Sequence, residues 1–217
     1  MGKEGLLIGI TGQTGAGKTM VCRLIESSGC HIIDADLVAR KVVAKGSKCT
    51  LDLAVEFGIE ILNIDGTLNR KKLGNIVFED KQKRLRLNRL TFPYIQEEIF
   101  SQVERFRQID KKPIFLDAPT LIESGTNKKC DKIVSVIAPV GIRRQRIIER
   151  DNLTLEETNA RISAQHEDEF YTSQSDFVII NDCDPESLKE RVMEMLRTIC
   201  RGESFFSTEA QLEEAAL

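Results

Sequence analysis

The stretch from Leu6 to Met20, LLIGITGQTGAGKTM, limits the possible folds of this chain more than any other. An apolar run rich in Ile and Leu reaches Thr11. Gly12, Gln13, Thr14, Gly15, Ala16, Gly17, Lys18 and Thr19 follow at once. That spacing is G-x-x-x-x-G-K-[ST], the P-loop, lying where a strand should end and a helix begin. Glycines allow positive φ and carry no Cβ, so successive N–H groups can converge on phosphate oxygens. Lys18 supplies a compact positive charge for the β- and γ-phosphates, and the Thr19 hydroxyl is placed to ligate Mg²⁺. The helix that follows, through Met20, adds its positive N-terminal end to the same site. A glycine-rich turn that binds nothing would not need this strand–loop–helix setting, so a nucleotide is expected here.

Composition narrows the setting. At 217 residues the chain fits one α/β domain with a small inserted lid. Hydrophobic residues make up 41% and charged residues 30%, with five prolines, which argues against disorder over most of the length. The 31 basic and 34 acidic residues leave a net charge of −3, and nothing there favours nucleic acid as a partner. The longest apolar runs are strand-sized, far short of the roughly 20 residues a bilayer span requires. The opening residues run directly into the first strand, without the apolar core or cleavage site of a secretory signal. Six cysteines sit at irregular spacings without a CxxC pair, so neither zinc nor a disulfide framework is expected. Reduced cysteines in a cytoplasmic protein is the reading these features support.

Along the chain, apolar runs at Leu6–Thr11, His31–Asp36, Pro113–Asp117, Lys132–Ala138 and Asp176–Asn181 read as strands. Helical spacing is expected over Lys18–Ser27, Leu37–Ala44, Thr50–Phe57, Arg70–Phe78, Lys81–Gln108, Val140–Arg150, Leu153–Phe170 and Pro185–Cys200. Pro93 should kink or divide the longest of these. Asp65-Gly66 marks a turn. The alternation argues for a five-stranded parallel sheet with helices on both faces. The tail from Gly202 is assigned no role.

Ligands of open parallel sheets bind outside the carboxyl ends of the strands. Three such ends here carry polar groups: the P-loop, Asp34/Asp36 and Asp117. Asp36 can accept or orient an acceptor hydroxyl's proton, or it can cap the helix that starts at Leu37. On an extended strand Asp34 shares its side, as a structural group or a Mg²⁺ partner. Asp117 stands where P-loop proteins place their second, Mg²⁺-contacting acid, with a capping role as the competing view. Arg143, Arg146 and Arg150 share one helical face at i, i+3 and i+7. A solvated face is the ordinary reading, but a lid that brings Arg146 or Arg150 over the phosphates also fits and would exclude water.

These segments together resemble the dephospho-coenzyme A kinase family. GITGQTGAGKT matches its first strand and P-loop, and HIIDADLVAR, with Asp34, Asp36 and Arg40, matches its acid-Ala-acid element. LDAPTLIESG matches its D-x-P-L-L-x-E segment through Asp117, Pro119, Leu121 and Glu123. RRQRIIERDNLTLEETNARISAQ matches its lid, and DFVIIND its last strand and purine-side loop; the likeness covers roughly Leu6 to Leu196. It implies an α/β P-loop NTPase fold and one kinase domain over residues 1–201. A helical acceptor-binding insertion would occupy about 50–108, a lid about 141–170, and a tail 202–217. It implies ATP-dependent phosphorylation of the 3′-hydroxyl of dephospho-coenzyme A with Mg²⁺. Asp36 would be the general base, Lys18 and Arg146 would stabilise the phosphates, and Arg40 and Asp117 would meet the acceptor. Residues Gly12–Met20, Arg150 and Asn181 would hold ATP, and Thr19 and Asp117 the metal. The partner is then a small molecule, for a monomer or small homo-oligomer. Phe92-Pro93 stands where the family commonly has His-Pro, Thr120 replaces a usual Leu, and Cys183 a frequent Gly.

Another nucleoside or nucleotide kinase would share the loop and the lid, but not the acid-Ala-acid element with the 50–108 insertion. A GTPase would need N-K-x-D after an apolar strand. Asn127–Asp131 has one residue too many and precedes its strand, and Thr120 stands where D-x-x-G requires Gly. A non-catalytic nucleotide-binding module has no reason to keep Asp36 beside a basic lid.

Overall fold

Strand β1, Leu7–Gly12, is buried along its whole length and forms the centre of the sheet. A computed structural model describes residues 5–78 and 80–200; the tail from Gly202 lies outside them. After β1 come α1 (Lys18–Ser27), β2 (His31–Asp34), α2 (Ala35–Val42), α3 (Lys48–Phe57), α4 (Arg70–Phe78) and α5 (Lys81–Ile109). Then follow β3 (Ile114–Asp117), β4 (Lys132–Ile137), α6 (Val140–Asp151), α7 (Leu155–Ser163), α8 (Asp168–Thr172), β5 (Phe177–Ile180) and α9 (Pro185–Cys200). The sheet order is β2-β3-β1-β4-β5. β1 pairs in parallel with β3 and β4, and β4 with β5, as the near-continuous apolar runs of doubly covered strands require.

The chain forms two compact units: residues up to Ile33 with those from Phe106 onward, and Asp34–Arg105. In the first, Ile8, Ile10, Phe115, Val134 and Val136 from the strands pack with Val21 and Ile25 of α1 and Leu188, Val192 and Leu196 of α9. Strand alternation sends Gly9 to the other face. A Cβ there would collide with Leu121 and come within 3.0 Å of the Cys130 Sγ. α9 starts at Pro185 behind Asp184, whose carboxylate accepts from the amides of Glu186 and Ser187. The second unit has its own core of Val43, Cys49, Leu53, Ile61, Leu73 and Val77. Within it the expected turn appears as Asp65 accepting from the Thr67 amide and hydroxyl.

Four local expectations are revised. β2 stops at Asp34, because that carboxylate accepts from the amides of Asp36 (2.8 Å) and Leu37 (3.0 Å) and so caps α2. Asp34 is therefore the cap and Asp36 lies in the first turn of the helix, so the two do not share the side of a strand. α5 runs undivided through Pro93. Pro93 and Arg89 are both exposed, so water can satisfy the one carbonyl that proline leaves without a donor. The segment expected as one helix over Leu153–Phe170 is two, α7 and α8, separated around Gln165 and His166.

Candidate active site

The P-loop joins β1 to α1 at the carboxyl end of the sheet, and register fixes what lies beside it. Ile10 pairs with Asp117 on β3, and Gly12 with Val136 on β4. Gly15 and Gly17 hold φ of +77° and +91°, in the left-handed region. A Cβ on Gly15 would stand 2.7 Å from the Arg143 carbonyl, and one on Gly17 would run into the Asn181 amide. The loop is thus wrapped so closely that only hydrogen fits at these two positions.

Its polar groups divide into two sets. The Ala16 amide donates to the Gln13 carbonyl and the Thr14 amide to Gln165 Oε1. The amides of Gly15, Gly17, Lys18 and Thr19 find no acceptor among the described residues. Four unsatisfied donors at the start of a helix form an anion-binding nest, which the positive end of α1 strengthens. Lys18 Nζ is ion-paired to Asp117 Oδ1, with both side chains largely buried at 14% and 16% exposure. The Thr11 hydroxyl donates to the Pro119 carbonyl (3.2 Å), tying the loop's entry to the segment after β3.

Among the described residues, the Thr19 hydroxyl and Asp117 Oδ2 make no hydrogen bond. Two hard oxygens beside an anion nest fit Mg²⁺, which usually takes one or two protein ligands and fills its shell with phosphate and water. No cluster of three His, Cys, Asp or Glu suited to a dedicated metal cage occurs among the described residues. Met20 is exposed on α1 just past the loop.

The arginines of α6 separate by role. Arg146 Nη1 donates to the carbonyls of Gly15 (3.5 Å), Ala16 (3.4 Å) and Asn181 (3.3 Å), and Nη2 to Asn181 Oδ1 (3.3 Å). Asn181, 4% exposed, also donates from Nδ2 to the Ala16 carbonyl (2.8 Å). Arg146 and Asn181 therefore both brace the loop from the β5 side. Arg150 instead donates to both oxygens of Asp151, which raises its pKa further; Arg161 reaches the same carboxylate. Arg143 is buried at 2% exposure and bonds Thr14 and Gln165 rather than joining an overhanging face. Burial pulls its pKa down from the ordinary guanidinium value.

Asp36 and Arg40 belong to the second unit, on α2, and both are exposed. Asp36 follows the end of β2 by two residues. Gln165 and the His166 carbonyl, which accepts from Gln13 Nε2 (3.1 Å), are loop contacts that pattern reading missed. Their signal, a Gln and a His inside a polar helical stretch, is too common to single out.

A family model described as dephospho-CoA kinase matches residues 6–186. A dephospho-CoA kinase from Listeria innocua is 40% identical over 189 residues, 87% of this chain and 94% of that protein. A solved dephospho-CoA kinase from Campylobacter jejuni superposes with a TM-score of 0.62 at 25% identity, covering 89% of this chain and 96% of that one. A solved protein from Thermus thermophilus reaches a TM-score of 0.75, also at 25% identity, over 93% and 100% of the two chains.

Proposed function

The chain belongs to the dephospho-CoA kinase family, and on that premise we propose that it transfers the γ-phosphoryl group of ATP to the ribose 3′-hydroxyl of dephospho-coenzyme A. The products are coenzyme A and ADP, the last step of coenzyme A synthesis. The observation that carries this reading is the set of unsatisfied loop amides beside the Lys18–Asp117 pair, in a chain of this family.

The loop amides, with Gly12–Met20 around them, bind and orient the triphosphate. Lys18 places its charge at the β- and γ-phosphates, and Arg146 adds a second from the α6 side. Such fixed donors matter because phosphoryl transfer depends chiefly on positioning and on offsetting the charge of the transferred group. Thr19 and Asp117 would hold Mg²⁺, which would supply neutralisation of phosphate charge when bound. Asp36 takes the proton of the acceptor hydroxyl, a role supported by its exposure in the first turn of α2 immediately after a strand end. Arg40, one turn on, and Asp117 serve the acceptor. Asn181 and Arg150 complete the nucleotide side, Asn181 by holding the Ala16 peptide. The six cysteines are thiols, which supports a reducing, cytoplasmic setting for a monomer or small homo-oligomer acting on a small molecule rather than nucleic acid.

An acceptor panel with MgATP tests the assignment. Dephospho-coenzyme A should be converted with ADP release, and turnover confined to a nucleoside or nucleotide would overturn it. Asp36→Asn should lower kcat by about 10²–10⁴-fold with ATP affinity nearly unchanged. Undiminished turnover would remove Asp36 as the base.

A further inference from the structure

The peptide unit of Thr14 is held from both ends. Its N–H donates to Gln165 Oε1 at 2.8 Å, and its C=O accepts from Arg143 Nε at 3.0 Å. The two holding groups also meet each other, Arg143 Nη2 donating to Gln165 Oε1 at 3.2 Å. The result is a closed ring of three hydrogen bonds linking the P-loop to α6 and to the segment between α7 and α8. Two further contacts reinforce it. Gln13 Nε2 donates to the His166 carbonyl, and the Gly15 position lies directly against the Arg143 backbone.

Arg143 is an expensive residue to keep there. It is 2% exposed and pairs with no carboxylate among the described residues, its acceptors being one carbonyl and one amide oxygen. The Asp168 carboxylate acts on it only through space, and burying a charge that no carboxylate contacts directly costs free energy that a neutral side chain of similar size would avoid. That cost is further offset if the positive charge also serves an anion close by, and the unsatisfied amides of the same loop define where that anion sits.

We propose that Arg143 and Gln165 are positioning residues for the triphosphate. By fixing the Thr14 peptide they fix the direction in which the amides of Gly15, Gly17, Lys18 and Thr19 face. Because Arg143 stands near the start of α6 and Gln165 follows α7, the loop's shape is set by both ends of the expected lid. This rests on the loop being the nucleotide site, as the proposed function holds.

Calorimetric titration of the full chain with MgADP tests it without any acceptor. Gln165→Leu and Arg143→Met should each weaken MgADP binding by about tenfold, about 1.4 kcal/mol. The double variant should be no weaker than the weaker single one, because breaking one ring member already releases the peptide. Gln165→Glu, which keeps the acceptor oxygen, should stay close to the wild-type affinity. In turnover assays the KM for ATP should rise while that for dephospho-coenzyme A stays unchanged. The proposal is overturned by unaltered affinity in a folded Gln165→Leu variant, by additive losses in the double variant, or by Gln165→Glu binding as weakly as Gln165→Leu. Melting temperatures lowered without any change in affinity would likewise reduce the ring to a structural brace. Wild-type protein that binds MgADP but does not turn over dephospho-coenzyme A would undo the functional reading and leave the clamp standing.

Discussion

A methyl group added at Gly17 would run into the Asn181 side chain, and the residue would have to hold φ at +91°. That side chain is anchored to the Ala16 carbonyl, so it cannot swing away without giving up a buried hydrogen bond. Left-handed backbone costs a non-glycine residue roughly 1–2 kcal/mol on its own. Gly17→Ala should therefore lower stability by at least about that amount and abolish MgADP binding, because the displaced peptide belongs to the anion nest. Gly74 is the contrasting case. It lies inside α4 without positive φ, and a Cβ there meets nothing within 4 Å. Gly74→Ala should stabilise the protein by about 0.5–1 kcal/mol in urea unfolding, through the lower entropy of the unfolded chain. A Gly17→Ala protein with wild-type nucleotide affinity would show that the loop is looser than its contacts indicate. At this scale the sequence pointed to candidate residues more clearly than to the contacts each one makes. Lys18, Thr19 and Asp117 stand out in the sequence because the P-loop spacing and a buried strand's acidic end single them out. The difference between Arg143 and Arg146, three residues apart on one helix, depends on which neighbours each meets and cannot be seen in a run of arginines.

α7 begins with a capping box. Thr154 Oγ1 accepts from the Glu157 amide at 3.2 Å, while Glu157 Oε2 accepts from the Thr154 amide and hydroxyl, each at 2.8 Å. The Thr154 amide, and then its hydroxyl, hold the Glu157 carboxyl below its ordinary value of 4.5. A carboxylate with a depressed pKa contributes stability above its unfolded value, and that contribution disappears as pH falls through the folded value. Glu157→Gln should consequently be less stable than wild type at neutral pH, with the difference shrinking once pH drops below 4.5. Urea midpoints from pH 7 to pH 3 measure it, and a difference that stays constant with pH would mean the charge is immaterial. Elements whose boundaries come from local chemistry were legible: α1, α4 and α9 begin and end where their loop, spacing and proline indicated. Boundaries set by other parts of the fold were not. Nothing between Ser163 and Glu167 breaks a helix by composition. The interruption coincides with Gln165 and His166 bonding to Thr14 and Gln13, more than a hundred residues earlier in the chain. Similarly, acid-Ala-acid suits an extended strand as well as a cap and first turn, and two amide bonds to Asp34 decide for the helix.

At the scale of the molecule, the sheet with its P-loop and the helical Asp34–Arg105 unit each have a core, and each carries some of the residues proposed to act. The parallel sheet was readable because strands covered on both faces must be apolar nearly throughout. The helical unit was less so, because its first turns are charged and its core comes from scattered positions on α3, α4, a short 3₁₀ turn and Val43 just past α2. The division of labour can be tested by damaging one core and reading the other. Leu53 is fully buried in the core of the second unit. Leu53→Ala should cost about 2–5 kcal/mol there, through lost transfer free energy and the cavity left behind. Amides of α3 and α4 should then exchange faster with solvent while those of β1 and β4 keep their protection. MgADP affinity should remain near wild type, since the loop's hydrogen bonds to Asp117, Pro119, Arg143, Arg146, Gln165, His166 and Asn181 all lie in the first unit. Turnover should fall if Asp36 and Arg40, carried by the weakened one, serve the acceptor as proposed. Equal loss of protection in β1 and β4 would mean that the two cores melt together. In that case a defect in acceptor chemistry could not be produced without an equal defect in nucleotide binding.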